Sequence, residues 1–317
     1  MSTILITGGS GYLGRCLASK LRDRGRVVIG ARNQANLQWA AQTTKVDSVP
    51  LNVSDIESVR DAVTDISPNI LIHAAASKFV DLAENQSMEC VDVNVVGSQN
   101  VARVAISSDI EFVIGVSTDK AAPPTSNIYG LTKALMERMF ISLDKRGETR
   151  FSCVRGGNIT WSTGSVLPIW KEMLRTNNLI ESTGPDMSRF FFSVEEAANL
   201  VITALDNKKI SAGRILTQQM RATKIRRILD IWTQRCSAEW REIEPRPGDQ
   251  QDQLLIGSSE LPATEMTHIN GIAHYLITPN MTHEKPVEKV VSASNSPQLT
   301  DEEIEKILDD EPSEKLL

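Results

Sequence analysis

Short apolar runs alternate with amphipathic stretches over the first half of the chain. Thr3 to Thr7, Val27 to Ala31, Ile70 to Ala74 and Phe112 to Val116 are nearly continuous apolar runs, the pattern of strands buried on both faces, and Val46 to Leu51 is a further strand. Between them lie stretches of helical periodicity: a segment reaching Arg24, Ser54 to Asp65 with Ser54 as its cap, and Glu84 to Ser107. Ile128 to Leu143 is a further helix, with Leu131, Leu135, Met136, Met139 and Leu143 at helical spacing, and Phe151 to Val154 is a sixth strand. Strand and helix in alternation predict an α/β fold: a Rossmann-type, doubly wound parallel sheet.

The rhythm fades beyond residue 160. Ser165 to Asn177 reads as a helix with Pro168 in its first turn, and Thr183 to Asp186 as a turn. Arg189-Phe190-Phe191-Phe192 is the densest aromatic patch, and core is its favoured reading. Ser193 and Glu196 have capping-box spacing; Ile215-Leu216 suggests a strand and Thr223 to Gln234 a helix. From about Asn280 polar residues dominate until Thr300 caps a short charged helix, Asp301 to Asp310, which suggests a tail that is mobile or ordered on docking. The expected division is a dinucleotide-binding domain (1–160 and 190–218), a smaller substrate-binding domain (161–189 and 219–280) and the tail (281–317).

Composition narrows the function. A net charge of −6 and a pI near 5.4 over 317 residues argue against general nucleic-acid binding. Arg32, Arg155, Arg189 and Arg246 remain candidates for a local anion site. Cys16, Cys90, Cys153 and Cys236 show no zinc spacing and read as buried thiols. A strand beginning at Thr3 leaves no room for a signal peptide, and no apolar run is long enough to span a membrane. A cytoplasmic protein with no metal is the expectation.

Gly8-Gly9-Ser10-Gly11-Tyr12-Leu13-Gly14 lies directly between the first strand and the first helix. Glycines there allow a tight turn and close approach of a pyrophosphate to a helix N-terminus. An acidic residue after the second strand would select NAD; this chain has Arg32 and Asn33, which favours NADP. Asn52 and Val53 fall where an adenine would be bracketed, and Ala74-Ala75-Ala76 forms a small-residue turn beside it. Lys78, just beyond, is a phosphate or sugar contact or a solvated lysine. Asn94, inside an apolar helix face, either braces the active-site loop or satisfies a neighbouring carbonyl. Ser117-Thr118-Asp119-Lys120 ends the fifth strand, at the sheet edge where such folds bind ligands. Tyr129 and Lys133, four apart, share a helix face, and an ammonium beside a phenol is expected to lower the phenol's pKa.

This combination of TGGSGYLG, STDK on a strand end and YxxxK on the next helix resembles the extended short-chain dehydrogenase/reductases. Within them, His73 to Val101, Ser117 to Lys133, Val154 to Asn158, Gly164 to Trp170, Met187 to Ala197 and Arg246 to Gln250 resemble the inverting UDP-N-acetylglucosamine 4,6-dehydratases of polysaccharide biosynthesis. The tail resembles theirs as well. The resemblance implies the following cycle. Tyr129 takes the O4 proton, assisted by Lys133, while hydride leaves C4 for bound NADP. Lys120, neutral, removes the C5 proton; Asp119, protonated, gives a proton to the departing C6 hydroxyl; hydride returns to C6 and C5 is inverted. Thr118 holds O4. Lys78, Asn158, Ser165, Val166, Arg189 and Arg246 hold the nucleotide sugar. Asn94 joins the cofactor set with Tyr129 and Lys133.

The chain departs from that family at Gly156, usually Tyr, and Phe79, usually His. Asn52 stands where Asp is common, and the family's RPGEK.HE turn is here RPGDQQDQ. The reaction type therefore carries over better than the sugar. An NADP-dependent 4-epimerase or reductase, using only Thr118, Tyr129 and Lys133, and a non-catalytic NADP-binding module are the competing readings. A homo-oligomer is expected; short-chain dehydrogenases often pair through the helices flanking the site, here Glu84 to Ser107 and Ile128 to Leu143, whose outer faces do not decide it.

Overall fold

The computed structural model describes residues 2–144, 146–244 and 249–312. Six strands, β1 (Thr3–Thr7), β2 (Arg26–Ala31), β3 (Asp47–Pro50), β4 (Ile70–His73), β5 (Phe112–Thr118) and β6 (Arg150–Gly156), form a parallel sheet in the order 3-2-1-4-5-6. This is the doubly wound order, with the crossover between β1 and β4 facing the carboxyl edge. Ile215–Gln218 adds a seventh parallel strand beside β6. Thr264–Ile269 and Ile272–Ile277 then add an antiparallel pair at that edge. The sheet is therefore mixed, with nine strands, and the 264–277 segment belongs to it rather than to the expected second domain.

Two apolar clusters divide the interior. The larger covers both faces of the nine-stranded sheet. The smaller gathers Trp161, Leu167, Trp170, Ile180, Phe191 and Trp232 with Leu299, Ile304 and Leu308 of the tail. The tail is thus a docked part of the second lobe, anchored further by the pairing of Val291–Ser292 with Leu254–Ile256. Thr300 and Glu303 form the capping box of its helix, which ends at Asp309.

Local chemistry accounts for the other differences from expectation. Asp55, not Ser54, caps the third helix, its carboxylate accepting from Glu57 N at 3.0 Å, and the helix runs Ile56–Ile66. The long helix expected from Glu84 to Ser107 is broken into Val80–Asn85, Ser87–Val91, a π-turn at Asp92–Val96 and Gly97–Ser107. The π-turn carries Asn94, and such turns cluster at functional sites. Thr223 lies in a strand, Arg221–Lys224, and the next helix runs Ile225–Cys236. Cys90 and Cys153 are buried as expected, but Cys236 is exposed.

Arg155, a candidate anion ligand, is 1% exposed and enclosed by protein carboxylates. Its guanidinium donates to Glu137 at 2.7 and 3.0 Å, to Glu260 at 2.8 Å and to the Leu255 carbonyl at 2.9 Å. These carboxylates hold its pKa well above the usual guanidinium range against the opposing effect of burial. Removing one partner from such a group strands buried charge. Arg155→Leu is expected to lower stability by about 3–5 kcal/mol, read as a fall in the urea midpoint at pH 7; an unchanged midpoint would refute this.

Candidate active site

A cleft of about 600 Å³ opens at the carboxyl edge of the sheet, between the two apolar clusters. One wall is the turn after β1. Gly8 adopts φ +68°, and a Cβ there would lie 2.6 Å from Ala75 N, so only glycine lets this turn meet the Ala74–Ala76 turn. The helix that follows, Tyr12–Leu21, has Gly11 as its N-cap with no side-chain cap. Its first N–H groups therefore face the cleft without a side-chain acceptor, the arrangement that suits an anion. Gly8, Ser10, Gly11, Tyr12, Leu13 and Gly14 all line the cleft, as do Arg32, Asn52, Val53, Ala74, Ala75 and Ala76. Arg32 is exposed and pairs with Glu89 at 3.2 Å. Asn33 is spent on capping the next helix, accepting from Asn36 N at 3.0 Å.

Asn94 does not reach the cleft surface. Its Oδ1 accepts from Ser77 N at 2.8 Å, and its Nδ2 donates to the Ser77 carbonyl at 2.9 Å and to Thr132 Oγ1 at 3.0 Å. It ties the Ala74–Lys78 loop to the Ile128–Leu143 helix, the bracing arrangement that was one of its two readings from the sequence. Thr132 passes the link on to the Tyr129 carbonyl at 2.8 Å. Asn100, which the sequence did not flag, braces the other side through the Val53 carbonyl at 3.0 Å.

β5 delivers Ser117 and Thr118 to the cleft, and a single 3₁₀ turn, Asp119–Ala121, places the next two side chains. Gly130 seats this turn: a Cβ there would lie 2.2 Å from the Lys120 carbonyl oxygen. The Asp119 side chain has no exposure, and Lys120 Nζ lies 3.2 Å from its Oδ1. Thr118 Oγ1 donates to the same oxygen at 2.9 Å. Lys120 Nζ also donates to Asn158 Oδ1 at 2.8 Å. Asn158 Nδ2 in turn donates to the Phe190 carbonyl at 3.0 Å. Asn158 lines the cleft, but its amide is spent on holding Lys120.

Tyr129, Lys133 and Thr118 share the cleft wall. The expected lowering of the Tyr129 pKa is absent. Burial and the Asp119 carboxylate push the phenol up, and a hydrogen bond with Thr118 only partly offsets them. Lys133 is itself pulled down to about 8 by burial, and its Nζ donates to Met136 Sδ at 3.3 Å. Lys78 lies at the mouth, against the Phe79 ring. Across the cleft stand Ser165, Val166 and Arg189. Arg189 donates to the Ser188 carbonyl at 2.9 Å, and burial lowers its pKa. Arg246 lies outside the described residues. The hydroxyls of Ser117 and Ser165 are buried with no hydrogen-bond partner among the described residues, and both residues line the cleft.

Gln253 was not singled out from the sequence, yet its amide lies at the centre of the acid–base cluster. It stands 2.8 Å from Asn158 Nδ2, and its other contacts fall on Asp119 and Lys120. The only signal was the altered RPGDQQDQ turn, in which Gln253 replaces the resembling family's final glutamate. Among the described residues there is no cluster of His, Cys, Asp and Glu able to hold a metal, and no helix long and apolar enough to cross a membrane.

Comparisons with known proteins agree with this geometry. The chain is 32% identical to the uncharacterized membrane protein MJ1061 of Methanocaldococcus jannaschii, over 82% of this chain and 81% of that one. It is 31% identical to a UDP-glucose 4-epimerase of Rickettsia bellii, over 83% and 80%. Its fold superposes on the X-ray structure of Pen from Bacillus thuringiensis with a TM-score of 0.88, at 25% identity and 97% coverage of both chains. The family model described as polysaccharide biosynthesis protein matches residues 4–273. With the extended short-chain dehydrogenase/reductase fold and the cleft at its sheet edge, the chain belongs to this polysaccharide biosynthesis family.

Proposed function

We propose that the protein is a nucleotide-sugar 4,6-dehydratase that inverts C5, acting on a UDP-N-acetylglucosamine-like substrate with bound NADP. One observation carries the reading: a buried acid–base pair, Asp119 and Lys120, stands on the same wall as Tyr129 and Lys133. Hydride transfer at C4 needs only the tyrosine and lysine. Loss of water from C5 and C6 needs a further base and a further acid.

The residues present fit the cofactor. The glycine turn and the uncapped N–H groups suit its pyrophosphate, Arg32 a 2′-phosphate, and Asn52 and Val53 its adenine. A nicotinamide bound there would supply the acceptor for hydride from C4 and the donor of hydride to C6. Tyr129 receives the O4 proton. Lys120 takes the C5 proton, and Asp119 supplies the proton that leaves with the C6 hydroxyl as water. A water on the face opposite Lys120 then protonates C5, and the hydroxide it becomes is neutralised by the proton held on Lys120. Each turnover leaves Tyr129 one proton richer and Asp119 one poorer. Thr118 hydrogen-bonds both groups and offers the return path. The unpartnered Ser117 and Ser165 hydroxyls suit sugar hydroxyls, and Arg189 and Lys78 suit the diphosphate.

The similarity to a protein named UDP-glucose 4-epimerase supports a second reading, an epimerase using Thr118, Tyr129 and Lys133 alone. Incubation with UDP-N-acetylglucosamine in deuterated water separates the two. The expected product is lighter by one water, inverted at C5 and deuterated there, and NADP is released when the protein is denatured. A product of unchanged mass altered only at C4 would establish the epimerase. Release of NAD would remove the role given to Arg32.

A further inference from the structure

We propose that Gln253 is a positioning residue whose amide bridges the Asp119–Lys120 pair, donating to the acid and accepting from the base, and so holds the two groups in their working arrangement. This rests on the dehydratase reading, in which the pair begins as carboxylic acid and amine and passes through carboxylate and ammonium once water has left.

The contacts define the bridge. With the Gln253 nitrogen toward the carboxylate, Nε2 donates to Asp119 Oδ2 at 2.9 Å and Oε1 accepts from Lys120 Nζ at 2.8 Å. The lysine's three N–H bonds then have three acceptors: Gln253 Oε1, Asn158 Oδ1 at 2.8 Å and Asp119 Oδ1 at 3.2 Å. That set fits an ammonium beside a carboxylate. Its cost is one donor facing another, Gln253 Nε2 against Asn158 Nδ2 at 2.8 Å.

A primary amide offers a donor to Asp119 and an acceptor to Lys120 at once; a carboxylate in its place has acceptors alone.

The charged groups around the pair are fixed. Tyr129 approaches from the Ile128–Leu143 helix, and Arg189 from Ser188–Phe192. Asp249 and Asp252 lie on the segment that carries Gln253 and face Arg189; Asp252 also accepts from Ser294. Arg155, on β6, is closed off by Glu137 and Glu260.

The test uses Gln253→Glu and Gln253→Met with UDP-N-acetylglucosamine in deuterated water. A carboxylate at 253 repels ionised Asp119 and attracts the Lys120 ammonium, so it raises both pKa values. Both limbs of the pH–rate profile for water loss are expected to move upward by about one unit or more in Gln253→Glu. Gln253→Met is expected to lose about 100-fold in kcat for water loss, with KM little changed and C4 oxidation retained. A Gln253→Glu profile that superimposes on the wild type would overturn the proposal, as would a Gln253→Met enzyme of wild-type rate. A uniform loss of rate with an unmoved profile assigns Gln253 to packing alone and also overturns it. Wild-type protein that yields no water loss and no C5 deuterium overturns the underlying reading, and that result is seen before any variant is compared.

Discussion

Lys120→Ala and Asp119→Asn are each expected to lower formation of the dehydrated product by about 10³-fold, and to fail at different steps. In the first, the C5 proton has no base, so solvent deuterium does not enter C5 of the 4-keto sugar. In the second, Lys120 still exchanges C5, but the C6 hydroxyl has no proton donor and stays bound, so C5 deuterium appears with no loss of water. Both variants retain the Tyr129–Lys133 chemistry, and single-turnover absorbance should still record reduction of the cofactor. The geometry makes the separation sharp. Asp119 has no side-chain exposure and Lys120 is held by Asn158, so bulk water is poorly placed to substitute for either. Asn at 119 keeps the volume and the hydrogen bond from Thr118. Dehydration within tenfold of wild type in both variants would remove the pair from the mechanism and favour the epimerase.

The sheet was legible because its central strands β1, β2, β4, β5 and β6 are largely apolar runs, and buried parallel strands require that composition. That these candidates share one cleft wall was legible for a related reason: STDK and YxxxK each lie within one local element. What could not be read depends on contacts distant in sequence. Gln253 meets Asp119 across the whole substrate lobe, and only a departure from a resembling family's turn marked the region. Arg155 looked like an anion ligand because its two carboxylates come from residues 137 and 260. Asn158 looked like a substrate contact because its partner, Lys120, is 38 residues away. The outer strand of the pair at 264–277, Thr264–Ile269, was hidden by its polar outer face, as alternation at a sheet edge gives a weaker signal than a buried run.

Lys133 joins stability to function with opposite signs. It is 2% exposed, its Nζ rests on a sulfur atom, and among the described residues no carboxylate lies within ion-pair distance. Burial lowers its pKa to about 8 from an unfolded value near 10.5. Below about pH 8 both states carry the proton, and the folded state bears the full cost of burying it. Between the two values the unfolded chain binds more protons, so wild-type stability rises with pH. Lys133→Met removes the cost and keeps the volume. At pH 7 it is therefore expected to stabilise the protein by up to about 3 kcal/mol in urea unfolding. The advantage should shrink from about pH 8 upward and vanish near the unfolded value. The same substitution should lower kcat by about 10²–10⁴-fold, because Tyr129 is already pushed up by burial and Asp119 and would lose the cation on its own helix face. A less stable variant, or an advantage that does not change with pH, would show that Lys133 is held by more than its geometry provides. An active Lys133→Met enzyme would detach it from the chemistry altogether.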